Sequence, residues 1–200
     1  MDFWASSKLS QLILGNSKEI ITTMPDNSVD FILTDPMYNM EKDEQIWFQQ
    51  EFERVCSGNI LVFGAPENIW PFEKLLFWVK QPSTKNYSRS FGRFVETISL
   101  HQRGPYHNNE YWGNYTGVYF DTLEGPRRHG FQKPVSLIER FIRILSNPGD
   151  LIFDPFMGSG SHLVAAKNLG REYYGIEIDP VTYELAKSRI EGGINDRITR

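Results

Sequence analysis

The chain has 200 residues, 40% of them hydrophobic and 23% charged, which is enough for one domain with a buried core. Its formal net charge of −4 argues against a protein that coats nucleic acid without specificity, although residues 71–145 are basic and residues 1–70 are acidic. No apolar stretch approaches the roughly 18 to 20 residues of a membrane span, and the single cysteine, Cys56, excludes an internal disulfide and a cysteine metal cluster.

The first half of the chain alternates short apolar runs with helical patterns. In chain order, the predicted elements are a strand at 12–14, a helix around 20–24, a strand at 29–33, a helix at 47–55 and strands at 60–63 and 95–100. Residues 67–80 are dense in aromatic side chains, and residues 101–128 show no clear period. This order favours buried strands joined by helices.

The second half repeats the alternation more clearly. Pro134 opens an amphipathic helix with apolar residues at 135, 138, 141, 142 and 145. A strand at 151–153, a helix at 161–169, a strand at 173–178 and a helix opened by Pro180 follow. We therefore predict an α/β fold with a mostly parallel sheet covered on both faces.

A glycine turn follows the strand at 151–153. In an open parallel sheet, ligands bind at the carboxyl ends of strands, where Gly158, Ser159 and Gly160 allow close backbone approach at a helix start. Glu177, near the end of the next strand, suits the two hydroxyls of a ribose. The loop lacks the Gly-Lys-Ser/Thr ending of a P-loop, which argues against nucleotide triphosphate hydrolysis. An ordinary tight turn is the alternative interpretation.

The segment Asp35-Pro36-Met37-Tyr38 ends another predicted strand. A ring that can stack on a flat base, beside a carboxylate that can accept from an exocyclic amine, is typical of a nucleobase site. A plain turn is again the alternative. The presence of both segments in one chain favours the functional interpretation of each.

With these motifs the chain resembles the beta group of amino-methylating DNA methyltransferases, which use S-adenosylmethionine. Members carry Asp-Pro-Pro-Tyr, then Lys-Pro before a helix, then Asp-Pro-Phe-x-Gly-Ser-Gly and an acid after the next strand. The matching positions here are residues 35–38, Lys133-Pro134, residues 154–160 and Glu177. The resemblance covers most of the chain and fades between about residues 86 and 128.

The resemblance implies the Rossmann-like fold of S-adenosylmethionine-dependent methyltransferases. Residues 1–200 would form a single catalytic domain with a short target-recognition insertion at about 81–128. Asn16 would face the cofactor adenine, Lys133 the cofactor carboxylate and Phe156 the adenine or methionine portion, with a solvent-facing lysine as the alternative for Lys133. The full set of expected cofactor-binding residues is Asn16, Lys133, Asp154, Phe156, Gly158, Ser159, Gly160 and Glu177.

The resemblance also implies direct in-line methyl transfer to a flipped-out base, with catalytic roles for Asp35, Pro36, Met37 and Tyr38. The Asp35 carboxylate and the Met37 carbonyl would accept the two amino hydrogens, and Tyr38 would stack on the base. Met37 replaces the family's second proline, and Asn16 replaces a frequent aspartate. The four histidines show no metal spacing and are interpreted as surface or loop residues.

Double-stranded DNA is the expected partner, without a membrane, in the cytoplasm of a bacterial or phage-infected cell. A homodimer is left open. The basic region offers arginines for base readout or phosphate contact, namely Arg89, Arg93, Arg103, Arg127 and Arg128.

The favoured activity is N6 methylation of adenine. N4 methylation of cytosine is the nearest alternative, since both amines suit the same acceptors, but enzymes of that kind usually have serine at the position of Asp35. A non-catalytic DNA-binding relative is the alternative from another class. Methylation of a protein glutamine is disfavoured because the glycine loop then comes first in the chain.

Overall fold

The computed structural model describes residues 10–81, 95–105, 117–122 and 133–192. Five helices lie within these residues: α1 (Ser17–Ile21), α2 (Lys42–Val55), α3 (Val135–Leu145), α4 (Ser161–Asn168) and α5 (Pro180–Glu191). The strands are β1 (Gln11–Leu14), β2 (Val29–Thr34), β3 (Cys56–Gly64), β4 (Lys74–Gln81), β5 (Val95–His101), β6 (Val118–Thr122), β7 (Leu151–Asp154) and β8 (Glu172–Glu177).

The described strands form one sheet in the order β1-β8-β7-β2-β3-β5-β4-β6. The first five strands of this order are parallel to one another, and β5 runs antiparallel to both β3 and β4. The mostly parallel sheet is therefore confirmed. Strands β4 and β6 were not assigned from the sequence, and α2 begins five residues before the predicted helix at 47–55.

Alternate side chains of the central strands face two separate cores. Ile32 of β2 packs with Phe48 and Phe52 of α2 on one face, whereas Phe31 and Leu33 pack with α3 and α4 on the other. Fully burying such a side chain stabilises the fold by roughly 1.5–3 kcal/mol. The sheet is thus covered on both faces, as its continuous apolar strands require.

Helix α3 shows how the apolar spacing becomes packing. Its buried residues include Ile138, Phe141, Ile142 and Leu145, which lie three or four positions apart and so face the sheet together. Pro134 serves as the N-cap and Ser146 as the C-cap. In the described part of the chain, no helix is both long and apolar enough for a bilayer crossing.

Parallel pairing brings several strand ends to one edge of the sheet. Because β1, β8, β7 and β2 run in the same direction, Asn16, Glu177, Asp154 and Asp35 all lie at or just beyond carboxyl ends along that edge. This is the side on which ligands bind in open α/β sheets. The topology therefore assembles residues that are up to 161 positions apart in the sequence.

Candidate active site

The glycine turn after β7 has the backbone that its sequence predicts. Gly158 and Gly160 have φ angles of 50° and 80°, and Gly160 is the N-cap of α4. The turn is fixed to β8, since Met157 N donates to Ile176 O at 3.0 Å and Gly158 N donates to Glu177 Oε2 at 3.0 Å. Glycine adopts positive φ without the steric cost that a Cβ brings, which explains this residue type at both positions.

The end of β1 lies against the same turn. Gly15 N donates to Glu177 O at 2.8 Å, and the Ser17 hydroxyl donates to Pro155 O. Asn16 is the N-cap of α1, where its Oδ1 accepts from Lys18 N at 2.9 Å. The structure thus brings Asn16, the glycine turn and Glu177 together.

The Asp154 carboxylate is fully buried and joins three elements. Its Oδ1 accepts from Thr34 Oγ1 at 2.6 Å and from Phe156 N at 3.1 Å, and its Oδ2 lies 2.7 Å from His162 Nδ1. Both carboxylate oxygens are thus engaged within the protein. Asp154 connects the end of β2 with the glycine turn.

His162 corrects the interpretation of the histidines as surface or loop residues. Its side chain is buried in α4 and stacks on Phe63, with ring centroids 5.7 Å apart. His162 is the second residue of α4, and from there its ring contacts the Asp154 carboxylate at the end of β7. His101, by contrast, is half-buried and pairs with Glu73 at 2.7 Å.

A second group of side chains surrounds Asp35, just beyond β2. Asp35 Oδ2 accepts from Lys133 Nζ, while Asp35 Oδ1 is buried and has no hydrogen-bond partner among the described residues. Tyr38 places its hydroxyl 3.1 Å from the same ammonium. A buried carboxylate oxygen without a donor is costly, so this oxygen is suited to a donor from a bound molecule.

The loop that carries Tyr38 is held from the end of β3. Asn68 Nδ2 donates to Tyr38 O at 2.7 Å, and Gln45 of α2 donates to Asn68 Oδ1. Met37 is 69% exposed, and its carbonyl accepts from Met40 N at 3.2 Å. A carbonyl oxygen has two lone pairs, so the Met37 carbonyl retains capacity for a second donor.

Lys133 lies at the centre of this group. Its Nζ is also 3.2 Å from Glu96 Oε2, and Glu96 Oε1 contacts Lys80 Nζ. Burial alone would lower the pKa of Lys133, but the carboxylates of Asp35 and Glu96 raise it above its ordinary value. Burial, with the Asp35 charge adding to it, raises the pKa of Tyr38. At neutral pH, Lys133 is therefore an ammonium and Tyr38 a neutral phenol.

The two groups lie at neighbouring strand ends. Strands β2 and β7 pair in parallel at Phe31–Ile152 and Ile32–Phe153, and Thr34, directly before Asp35, donates to Asp154. Phe63 lies between the groups, since its ring stacks on His162 and is 5.3 Å from Lys133 Nζ. The site thus places the glycine turn beside the group formed by Asp35, Tyr38 and Lys133.

Residues 59–188 match the DNA methylase family of N6 and N4 methyltransferases, which is more than half of the chain. The chain belongs to the N6/N4 DNA methylase family. The matched range contains Lys133, the glycine turn and Glu177 but begins after the Asp35 segment.

Relatives of this DNA methylase include two type II methyltransferases. M.HpaI of Haemophilus parainfluenzae is 27% identical, over 92% of this chain and 75% of that protein. M.HinfI of Haemophilus influenzae is 25% identical, over 91% of this chain and 68% of that protein.

Solved structures show the same fold. The M1.HpyAVI–SAM complex has a TM-score of 0.72 and 26% identity, covering 90% of this chain and all of that one. The cytosine-N4-specific PvuII DNA methyltransferase has a TM-score of 0.74 and 17% identity, covering 96% of this chain and 89% of that one. The expected methyltransferase fold is confirmed.

The basic residues expected on DNA divide into two groups. The guanidinium of Arg103 donates to the backbone carbonyls of Glu53 and Cys56, at 2.9 and 2.7 Å, which ties the chain just after β5 to the last turn of α2 and the start of β3. Arg89, Arg93, Arg127 and Arg128 lie outside the described residues.

Sequence reasoning missed four residues that organise this methylase site. Thr34, Asn68, Glu96 and Arg189 each contact a predicted site residue or its loop, and Arg189 donates to Ser159 O. Only the position of Glu96 in a predicted strand carried a signal, because a charge in a buried strand needs a partner.

Gly160→Ala should damage the glycine turn more than an equivalent change elsewhere. Besides the strain of a positive φ, a Cβ at Gly160 would lie 3.0 Å from Ile190 Cδ1 and 3.2 Å from Ala186 Cβ. We expect a loss of about 2–4 kcal/mol in the free energy of unfolding, together with weaker binding of S-adenosylmethionine in calorimetry.

The matched control is Gly170→Ala. Gly170 has a φ of 69° but nothing within 4 Å of an added Cβ, so only the backbone strain remains, about 1–2 kcal/mol. Equal losses of stability and unchanged cofactor affinity in the two variants would contradict the assigned role of Gly160.

Proposed function

We propose that this DNA methylase transfers a methyl group from S-adenosylmethionine to the N6 amino group of adenine in double-stranded DNA. The observation that carries the proposal is the buried, unpartnered Oδ1 of Asp35 at the strand end next to the glycine turn. An amino group is the donor that such an oxygen accepts. The family membership supplies the reaction class.

The residues around the glycine turn fit the cofactor. The turn combines two positive-φ glycines with a half-buried aromatic ring, Phe156, and a half-buried carboxylate, Glu177. The glycines have no side chains, so the ligand would approach the backbone of the turn closely. Glu177 would accept hydrogen bonds from the ribose hydroxyls, and Phe156 would contact the adenine. Bound there, S-adenosylmethionine would supply an electrophilic methyl group on a sulfonium.

Asp154 would act by positioning. Its carboxylate ties Phe156 N to Thr34, so it holds the cofactor turn against the strand that carries Asp35. Asn16 Oδ1 already accepts from Lys18 N, but an amide oxygen has a second lone pair. With it, Asn16 would accept a hydrogen bond from the amino group of the cofactor adenine.

Asp35 and Met37 would prepare the amine. Its nitrogen is a poor nucleophile because the lone pair is delocalised into the ring. If Asp35 Oδ1 and the Met37 carbonyl each accept one amino hydrogen, the lone pair becomes more available. The carboxylate also stabilises the positive charge that develops on the nitrogen during attack.

Tyr38 and Lys133 would complete the amine site. The base must leave the duplex stack to reach Asp35, and Tyr38 offers a half-buried ring for stacking, a contact of about 1–3 kcal/mol. Lys133 is engaged by Asp35, Tyr38 and Glu96. We therefore assign it to the amine site, in place of the expected contact with the cofactor carboxylate.

DNA recognition is assigned to the basic insertion at about 81–128 within a single domain of residues 1–200. Within this range the structure describes strands β5 and β6, which lie with β4 at one side of the sheet. Arg89, Arg93, Arg127 and Arg128 remain the candidates for DNA contact, whereas the bonds of Arg103 to α2 and β3 favour a structural role.

Cytosine N4 methylation is the second candidate, since the PvuII cytosine-N4 enzyme has the same fold. The carboxylate at position 35 favours adenine, because N4 enzymes of the family usually have serine there. The deciding experiment incubates the protein with labelled S-adenosylmethionine and unmethylated duplex DNA, and then identifies the methylated nucleoside by mass spectrometry. N4-methylcytosine alone would overturn the base assignment, and no label would overturn the activity.

Cys56 should be dispensable for this reaction. Its side chain is fully buried, and burial raises the pKa of the thiol to about 12, so the nucleophilic thiolate is absent at neutral pH. We expect Cys56→Ala to keep wild-type turnover and to lose roughly 1–2 kcal/mol of stability. Inactivation of the native protein by a thiol reagent at pH 8, at a stoichiometry of one, would contradict this.

A further inference from the structure

Four side chains of alternating charge form a continuous row from the sheet to Asp35. Lys80 of β4 contacts Glu96 of β5, Glu96 contacts Lys133, and Lys133 contacts Asp35. Their side chains are 22%, 10%, 4% and 16% exposed in that order. Charges this poorly hydrated are stable only when each has a partner, so the row behaves as one unit.

Three oxygens surround the Lys133 ammonium. Nζ donates to Asp35 Oδ2 and, at 3.1 Å, to Tyr38 Oη, and it forms an ion pair with Glu96 Oε2 at 3.2 Å. Without Glu96, the ammonium would lose one of its two carboxylate neighbours. Asp35 Oδ1, buried and without a hydrogen-bond partner among the described residues, would then be the neighbouring oxygen toward which the ammonium turns.

We propose that Glu96 is a positioning residue for methyl transfer, which holds the Lys133 ammonium away from Asp35 Oδ1 and so reserves that oxygen for the amine of the target base. This inference rests on the proposed function. Glu96 does not touch the base itself. Lys80 pairs with Oε1 of Glu96, which keeps Oε2 of Glu96 directed at Lys133.

The electrostatics agree with this geometry. Burial would raise the pKa of Glu96, but Lys133 and Lys80 lower it, so Glu96 remains a carboxylate at neutral pH. The groups that face Lys133 are Asp35, Tyr38 and Glu96, with Lys80 behind Glu96. Removal of Glu96 would thus remove one of the two carboxylates that raise the pKa of Lys133.

Glu96→Gln tests the proposal by kinetics. Because a misplaced catalytic group can cost about 10²-fold, we expect turnover to fall about 10- to 100-fold, with KM for DNA and the dissociation constant of S-adenosylmethionine within about threefold of wild type. The matched control is Glu73→Gln, which removes an exposed glutamate from its pair with His101 and should keep wild-type turnover. Wild-type turnover in Glu96→Gln would overturn the proposal.

A second measurement does not depend on activity. Reductive dimethylation of the folded protein, read by peptide mass spectrometry, reports how readily Lys133 reacts. We expect slow labelling in wild type and in Glu73→Gln, and at least severalfold faster labelling in Glu96→Gln. Unchanged labelling would overturn the role of Glu96 even in an active enzyme, whereas an inactive wild type with the expected labelling would overturn only the proposed function.

The double variant Lys80→Met/Glu96→Gln covers the case in which Glu96→Gln does not fold. It removes one charge of each sign, so the net charge of the row is unchanged. We expect the same fall in turnover and the same rise in Lys133 labelling. A folded double variant with wild-type turnover would overturn the proposal.

Discussion

Asp35→Asn should reduce single-turnover methylation by about 10²- to 10³-fold. The expectation follows from the neighbours of Asp35. The Lys133 ammonium can only donate, so the asparagine would turn its oxygen toward Lys133 and its NH2 group toward the position of Oδ1. A donor would then face the amino group of the base where an acceptor is needed.

The measurement is a single-turnover assay with excess enzyme and labelled S-adenosylmethionine, together with calorimetric cofactor binding. Affinity for the cofactor should remain within about threefold of wild type, which separates chemistry from folding. Asp30→Asn is the matched control: Asp30 lies in β2, the strand that leads to Asp35, and its carboxylate accepts from Leu151 N, a bond that an amide oxygen can replace. A rate for Asp35→Asn above one-tenth of wild type would sink the assigned role.

Lys133→Met should cause a large loss of stability, about 3–5 kcal/mol near neutral pH, because it leaves Asp35 and Glu96 as buried carboxylates without their shared cation. Methionine retains most of the volume, so the loss is mainly electrostatic. Lys18→Met, which removes an exposed lysine 3.7 Å from Glu44, is the control and should cost less than about 1 kcal/mol. Urea denaturation measures both.

The pH dependence of this difference has a defined sign. The pKa of Lys133 is raised, so its contribution is complete below its unfolded value of roughly 10.4 and is lost as the pH rises through the higher folded value. The pKa of Glu96 is lowered, so its contribution is present above roughly 4.3 and is lost as the pH falls through the lower folded value. The gap between wild type and Lys133→Met should therefore be full between about pH 5 and 10 and narrow in acid. A gap that widens below pH 4 would contradict this.

The sequence was a good guide to elements with strong local signals. The buried strands around residues 29–33 and 151–153, the helix after Pro134 and the helix opened by Pro180 all appear, since apolar period and helix-start chemistry are local properties. Strand β4 was missed because its residues do not alternate regularly between buried and exposed: Trp78 is buried among partly exposed neighbours. The position of β4 is set by its pairing with β5.

The site was predictable in its motifs but not in its contacts. Asp35 and the glycine turn follow from strand ends, whereas the contact of Glu96 with Lys133 depends on the order β2-β3-β5-β4 of the sheet. Likewise, no local pattern shows that His162 turns inward to Asp154. Contacts between residues distant in sequence are set by strand order, which composition and spacing do not reveal.

The shared carboxylate of Asp154 has a kinetic consequence. In the proposed mechanism, one side chain fastens both the turn assigned to the methyl donor and the strand that leads to Asp35, so the separation of the two reactants would be set when the chain folds and not when either reactant arrives. Alignment would then be a property of the apoprotein, and neither ligand would have to use binding free energy to create it.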